Sequence, residues 1–461
     1  MKRVPLLFPV VAVLFYASCG SEQADDTGSS GRGGSSATAG RGGSAGRMQA
    51  GGFGGASAGS GGTNAGGAAG SAGNTGSGGN TGSGGNTGSG GNTGSGGNAG
   101  SGGNTGSGGN TGSGGNTGSG GNTGSGGAAG VGGTAGAGGM SALEPCDLYA
   151  SGGTPCVAAH STVRALFGAY DGKLYRVRRS SDNTTRDIGV LSAGGFADAA
   201  AQDAFCSNAN CVITMVYDQS GKGNDLEYQG VGSSVGGRAD PASATGESLT
   251  ISGHKVYSLY INPGNSYWRN GSQSGVPTGS APEGMYMVTS GTHVNDGCCF
   301  DYGNSETTRK ADGAGAMDAI NFSTQCWFGG CAGRGPWVQA DLEYGLYPGG
   351  SQSWNPSQQA FTNKYVTAML KNNGTTRFAL KGASAQAGSL TTLYDGRLPN
   401  GYSPMKKQGA IILGSGGDCC ATNRNLSLGT FYEGAIVSGY PADTIDDSIQ
   451  SNIVNAGYGK P

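Results

Sequence analysis

Basic clusters are missing from this chain. No run of more than two lysines or arginines occurs, charged residues make up only 12% of the sequence, and the formal net charge is −2. Phosphate binding needs a concentrated basic face, so nucleic acid is excluded as a partner. Histidine is scarce as well. His160, His254 and His293 are the only three, and none lies beside a cysteine cluster. The ligand spacing that zinc requires is therefore absent, and neither a metal nor another cofactor is expected. Long apolar runs are lacking too: Val4 to Tyr16 is too short to span a bilayer core of about 30 Å.

That stretch follows Met1-Lys2-Arg3 and precedes Ala17-Ser18-Cys19, so residues 1–19 read as an export signal. Small residues before a cysteine resemble a bacterial lipobox, with Cys19 as the lipidated residue; a plain secretory signal is the alternative. The expectation is an exported monomer, a lipoprotein of the bacterial cell surface (outer membrane), touching the membrane only through this lipid. The ten other cysteines fall into close couples: Cys146/Cys156, Cys206/Cys211, Cys298/Cys299, Cys326/Cys331 and Cys419/Cys420. Local couples in an exported chain read as disulfides.

Glycine is abundant, at 99 residues, without a three-residue period. Residues 20–141 are almost entirely Gly, Ser, Asn, Thr and Ala, and Gly-Ser-Gly-Gly-Asn-Thr repeats from Gly76 to about Gly127. No repeat unit carries an apolar residue, so stacking would bury nothing and a flexible coil is expected. Its r.m.s. reach is roughly 60 Å, by the square-root rule for Gly-rich chains. Gly42-Gly43-Ser44-Ala45-Gly46 matches the nucleophile-elbow pattern of serine hydrolases but lacks the flanking strand and helix, and carries no chemistry.

Residues 142–461 have a globular composition and enough length to bury a core in one domain. Short apolar runs bounded by turn residues recur: Val212–Tyr217, Lys255–Ile261, Gly284–Val288, Tyr365–Leu370, Arg377–Leu380, Ala410–Leu413 and Thr430–Val437. Helical signals are confined to Ser161–Ala169, Ala197–Phe205 and Asp443–Asn455. The expected fold is all-β, a jelly-roll-like β-sandwich with a few short helices.

Three segments offer site chemistry. In Trp337-Val338-Gln339-Ala340-Asp341-Leu342-Glu343-Tyr344-Gly345, an extended chain would point Asp341 and Glu343 to one face. In Gly409 to Cys420, a buried-type strand opens into a glycine loop ending on Asp418, and glycines such as Gly417 let backbone approach a ligand. Adjacent Cys298 and Cys299 bond either to each other, through a strained ring, or to separate partners. Asp218-Gln219-Ser220-Gly221-Lys222-Gly223-Asn224 clusters oxygen ligands but lacks EF-hand spacing, and a polar turn is the preferred reading.

These strings carry a resemblance. Pro145-Cys146-Asp147-Leu148-Tyr149, Gly152 to Thr162, Leu191 to Gly195, Tyr217 to Gly221, Cys298 to Asn304, Gly335-Pro336-Trp337, Gly409 to Gly414 and Thr430 to Gly434 follow one another as in the glycoside hydrolase family 54 α-L-arabinofuranosidases, known mainly from fungi. The resemblance implies a β-sandwich that removes terminal α-L-arabinofuranosyl groups, with retention, from arabinose-containing plant cell-wall polysaccharides or oligosaccharides. It places the nucleophile at Glu343 and the acid/base at Asp418. It puts Asp341 on sugar hydroxyls and the Cys298–Cys299 disulfide and Trp327 in the pocket wall, and it pairs Cys146 with Cys156 and Cys206 with Cys211. His160 lies in a matching string without a catalytic role and reads as a packed structural residue.

Three features depart from the family. Tyr344 replaces the usual Asn beside the reacting sugar. Cys326, Cys331, Cys419 and Cys420 have no fungal counterpart; they clamp two active-site loops or pair across the site. The fungal enzymes also carry a C-terminal arabinose-binding β-trefoil, which this chain lacks before Pro461, and the tether is expected to take over its role. The competing readings are a non-catalytic arabinan-binding protein on the same fold, and an exo-glycosidase for another furanose.

Overall fold

The computed structural model describes residues 143–461 apart from 229–238, 298, 309–311, 330, 353–354 and 416–425. Cys19 and the expected export signal lie outside the described residues. A separate unit, residues 27–139, contributes only two described two-residue strands, Gly91–Asn92 and Gly100–Ser101, paired antiparallel.

Two antiparallel sheets form a sandwich. The smaller runs Leu259–Ile261, Gly429–Ser438, Glu283–Thr289, Val366–Asn372, Arg377–Ser384, Thr391–Arg397, with Cys156–Ser161 also paired to Gly429–Ser438. The larger has ten strands in the order Leu346–Tyr347, Trp337–Asp341, Asp318–Ser323, Phe300–Ser305, Ala410–Ser415, Ser266–Asn270, Leu226–Tyr228, Cys211–Val216, Lys173–Arg179, Thr185–Gly189. Between them lies the apolar core, where Tyr302 of the large sheet meets Phe431 of the small one, ring centroids 5.0 Å apart. Gly429–Ser438 is buried along nearly its whole length, which explains its largely apolar sequence, with Glu433 as the one charged residue.

The helix Asp443–Ala456 covers the small sheet: Lys371 and Lys381, from adjacent strands, donate to Asp446 at 2.7 and 2.8 Å. It ends at Gly457, whose φ of +79° gives the left-handed cap. Ala199–Phe205 is helical as expected, capped by the Asp198 carboxylate accepting from the Ala201 N–H at 3.0 Å.

The helix expected at Ser161–Ala169 is not formed. Ser161 ends a strand and its hydroxyl accepts from the N–H groups of Val163 and Arg164, bending the chain away from a helix. Arg164 is drawn inward, where its guanidinium grips Glu433 with two hydrogen bonds of 2.6 and 2.7 Å. Tertiary pairing overrides the local pattern. The helix actually present nearby is Pro145–Ser151, with a proline in its first turn and Glu144 and Asp147 in a reciprocal capping box.

Cys146–Cys156, Cys206–Cys211 and Cys326–Cys331 are disulfides. The last closes the Trp327 loop on itself, so those two cysteines do not bridge across to Cys419 and Cys420, which lie outside the described residues.

Candidate active site

At one end of the large sheet, strand alternation sorts side chains by chemistry. Phe300, Tyr302, Ile320, Phe322, Val338 and Ala340 point into the sandwich and are fully buried. The alternate positions carry Asp301, Asn321, Ser323, Gln339 and Asp341, which therefore face the other way, yet none exceeds 6% exposure. An outward sheet face would ordinarily be wetted; here the polar groups are withdrawn beneath loops. Asp301, Asn321 and Gln339 stand in register on three neighbouring strands. The Asn321 amide donates to Asp301 at 2.8 Å, and the Ser323 hydroxyl donates to Asn321 at 2.8 Å. Gln339 donates to the Gln325 carbonyl at 2.9 Å, fastening the start of the Trp327 loop.

Cys299 closes this cluster: its sulfur and one oxygen each of Asp301 and Asp341 lie within 4.8 Å of one another. Cys299 is disulfide-bonded, and its partner lies outside the described residues, as does Cys298. A disulfide sulfur offers no thiolate to a metal. The trio is instead a wall with an apolar sulfur beside two hydrogen-bonding carboxyl groups.

Glu343 does not continue the strand. Trp337–Asp341 stops at Asp341, and Glu343 and Tyr344 form a tight turn into Leu346–Tyr347 with φ of +63° and +61°. The expectation that Asp341 and Glu343 alternate along an extended chain is thus corrected. Their proximity comes from the turn, in which the Glu343 N–H donates to the Asp341 carboxylate at 3.1 Å. Two successive positive φ values mark a type I′ hairpin, whose usual residues are Asn and Gly. Holding other residues there costs about 1–3 kcal/mol each, and such strain gathers at functional sites. Glu343 is 5% exposed while Tyr344 next to it is 50% exposed, one of only four exposed large hydrophobic residues among those described.

Aromatic rings back the turn. Trp327 stacks on Phe328, Phe328 packs on Tyr347, and Tyr347 meets Tyr402 edge-on, with centroids 6.3, 5.5 and 5.1 Å apart. Gly345 is required between them, since a Cβ there would come within 2.7 Å of the Phe328 ring. The Trp327 loop, pinched by Cys326–Cys331, is thereby packed against the same turn that carries Glu343.

Asn295 joins three site segments, and nothing in its sequence context singles it out. Its side chain donates to the Leu426 carbonyl at 3.0 Å and accepts from the Leu428 N–H at 2.9 Å. Its own carbonyl accepts from the Thr324 N–H at 2.9 Å, just before the Trp327 loop. Asp418 and Gly417 lie outside the described residues, between Ser415, paired with Phe300, and Leu426.

His160 is far from this chemistry in role. It is fully buried, donates from Nε2 to the Asn224 carbonyl at 2.9 Å, and accepts the Tyr302 hydroxyl at Nδ1 at 3.1 Å; burial lowers its pKa. The Asp218–Asn224 stretch is a polar turn, with both Asp218 oxygens taken by Ala159, Ser220 and Asn224.

The family pattern described as "Alpha-L-arabinofuranosidase B, catalytic" matches residues 145–459. The α-L-arabinofuranosidase B of Emericella nidulans is 52% identical over 324 residues, covering 69% of this chain and 62% of its own. That of Aspergillus oryzae is 50% identical over 323 residues, covering 69% and 63%. The chain thus spans less than two thirds of the curated relatives it matches. A solved family 54 α-L-arabinofuranosidase complexed with arabinofuranosyl-α-1,2-xylobiose is 46% identical with a TM-score of 0.66, covering 69% of this chain and 66% of its own. A glutamate-to-glutamine mutant of a family 54 α-L-arabinofuranosidase, soaked with 4-nitrophenyl α-L-arabinofuranoside, matches equally well. These curated relatives are fungal, which overturns the localisation expected from Ala17-Ser18-Cys19, a bacterial cell-surface lipoprotein. The order of the matched strings, the sandwich and the family pattern agree, and the chain belongs to the α-L-arabinofuranosidase B catalytic family.

Proposed function

We propose that residues 142–461 are a catalytic domain that removes terminal non-reducing α-L-arabinofuranosyl groups from arabinan- or arabinoxylan-type chains, with retention of configuration. The observation that carries this reading is the Glu343 turn: a nearly buried carboxylic residue in a left-handed conformation, with its N–H on Asp341, a carboxyl group that itself lies beside Cys299. In this reading Glu343 attacks C1 of the arabinose. The bond from C1 to the leaving oxygen breaks as Asp418 delivers its proton there, giving an arabinosyl ester on Glu343 and a free alcohol. Water then attacks C1, Asp418 takes its proton, and the Glu343 carboxylate departs. Asp341 accepts from sugar hydroxyls, the Cys298–Cys299 disulfide and Trp327 flank the furanose ring, and Tyr344 and Gly417 contact the substrate. A side-chain arabinose on a xylose backbone is supported as substrate by what the solved relative holds, arabinofuranosyl-α-1,2-xylobiose.

The test is nitrophenol release from 4-nitrophenyl α-L-arabinofuranoside by the full chain. Glu343→Gln is expected to lose activity by a factor on the order of 10⁴ or more. Asp418→Asn is expected to keep part of its activity on this good leaving group and to be rescued by azide. A folded, oxidised protein without turnover of any furanoside would replace this reading by the arabinan-binding one.

A further inference from the structure

Tyr402 stands 59 residues from Glu343 in sequence and is buried against the Glu343 turn. Its phenol donates to the main-chain carbonyl of Glu343 at 2.8 Å and lies 3.4 Å from that of Tyr344. The Tyr347 hydroxyl in turn donates to the Tyr402 oxygen at 3.3 Å. Tyr402 itself is fixed by its N–H on the Pro399 carbonyl and by the edge-on contact with Tyr347. Burial, then the Tyr347 hydroxyl and the nearby Asp341 and Glu343 carboxyl groups, push the Tyr402 phenol well above its usual titration range. It is a donor throughout the pH range in which the fold operates.

The turn needs such a donor. Glu343 and Tyr344 have φ of +63° and +61° without being Gly, Asn or Asp, so local preference pulls both toward other backbone wells. Relaxation of either residue would swing the Glu343 carbonyl and side chain together. A misplacement of about 1 Å at a reacting group is enough to cost a large factor in rate.

We infer that Tyr402 is a positioning residue: its phenol holds the main chain of Glu343 in the left-handed conformation and so aims the carboxylate at the reacting carbon. This rests on the reading of Glu343 as nucleophile. The Tyr347 hydroxyl supports the latch at one remove, by keeping the Tyr402 oxygen oriented as donor to the turn.

Tyr402→Phe removes the donor and keeps the ring. With 4-nitrophenyl α-L-arabinofuranoside, its kcat is expected to fall about 10-fold, the size of one lost hydrogen bond at the reacting group. KM is expected to stay within about twofold, since only the nucleophile's aim is touched. Formation of the arabinosyl-enzyme, followed by rapid quench and intact mass, should slow by the same factor as kcat. Tyr347→Phe should show a smaller loss in the same direction, which keeps the inference testable if Tyr402→Phe folds poorly.

The decisive readout is rescue. Asn takes positive φ far more readily than Tyr, so in the Tyr344→Asn background the turn should hold itself and Tyr402→Phe should cost less than about threefold. An equal loss in both backgrounds, or a loss confined to KM, overturns the latch. Glu343→Gln is measured alongside. Activity in Glu343→Gln would remove the nucleophile reading and the latch with it, whereas an inactive Glu343→Gln beside a full-speed Tyr402→Phe sinks the latch alone.

Discussion

Two two-residue hairpin turns in this molecule share a geometry and differ in every other respect. Ser252–Gly253 joins Ser248–Ile251 to His254–Tyr257, with Ile251 and His254 directly paired and φ of +43° and +82°. Glu343–Tyr344 lies at the tip of the connection from Trp337–Asp341 to Leu346–Tyr347, where the Leu342 N–H reaches the Gly345 carbonyl at 3.4 Å, with φ of +63° and +61°. The first obeys turn chemistry, with glycine where positive φ is greatest. The second contains no turn-forming residue, and its glutamate is nearly buried. The chain writes Ser-Gly at one hairpin but Glu-Tyr at the other, and in the reading proposed above the strained position is the one that carries the nucleophile.

The largest expected effect comes from making the second turn like the first. Glu343→Asn with Tyr344→Gly gives the preferred type I′ pair. Turnover should fall on the order of 10⁴-fold or more, while urea unfolding shows a gain of about 1 kcal/mol from relieved strain. A loss of stability in that variant would mean the turn is not strained. The reverse change is Gly253→Tyr. A Cβ at Gly253 finds nothing closer than 3.9 Å, so only the φ of +82° opposes it. A loss of about 1–3 kcal/mol is expected with kcat unchanged; altered turnover would mean the two hairpins are not independent.

The same contrast explains what could be read in the sequence. The strands around Glu283–Thr289 and Gly429–Ser438 were legible because burial fixes their apolar runs, and the C-terminal helix because Pro441 and Gly457 bound it. The alternation rule that served for strands misplaced Glu343, because the strand ends two residues too early and the turn has no turn residue to announce it. Ser161–Ala169 looked helical until Arg164 found Glu433, 269 positions away. Asn295 and Tyr402 were invisible for the same reason. Each acts through side-chain bonds to partners more than 50 positions distant, and neither sits in a string that a spacing rule would mark. The roles proposed for the site residues come only from family strings, and the supports around them could not be read at all.

A smaller effect tests how far the site extends beyond the turn. The Cys326–Cys331 disulfide confines Trp327, whose stack on Phe328 reaches Gly345 and Tyr347. Replacing both cysteines by alanine is expected to raise KM about threefold to tenfold with a lesser change in kcat, the pattern of a lost binding wall. Dithiothreitol should do the same to the wild type but add nothing to the double variant's loss at this loop. If KM does not move, Trp327 does not touch the sugar and the site ends at the Glu343 turn.

The smallest expected effect separates the carboxyl groups of the site from those that only hold the fold. Glu283, Asp318 and Lys407 lie together in the interior, fully buried, with Lys407 2.8 Å from Glu283 and 3.6 Å from Asp318. One ammonium faces two carboxyl groups, so the cluster keeps a proton. Burial, with the Asp318 charge adding to it and Lys407 opposing, pushes Glu283 up to about 7 from an ordinary 4.5. A folded-state pKa above the unfolded one stabilises fully below pH 4.5, and that contribution is lost as pH rises through about 7. The Tm of the wild type should therefore decline from pH 5 to pH 8 by roughly 2–4 °C. Asp318→Asn keeps an acceptor for the Asn372 amide, 3.2 Å away, but removes the competing charge, so the decline should flatten. The Asn-Gly replacement of Glu343 and Tyr344 should leave the decline as it is. If that replacement flattens it instead, the site carboxyl groups share their protons with the fold, and the pH profile of turnover then reports on stability as well as on chemistry.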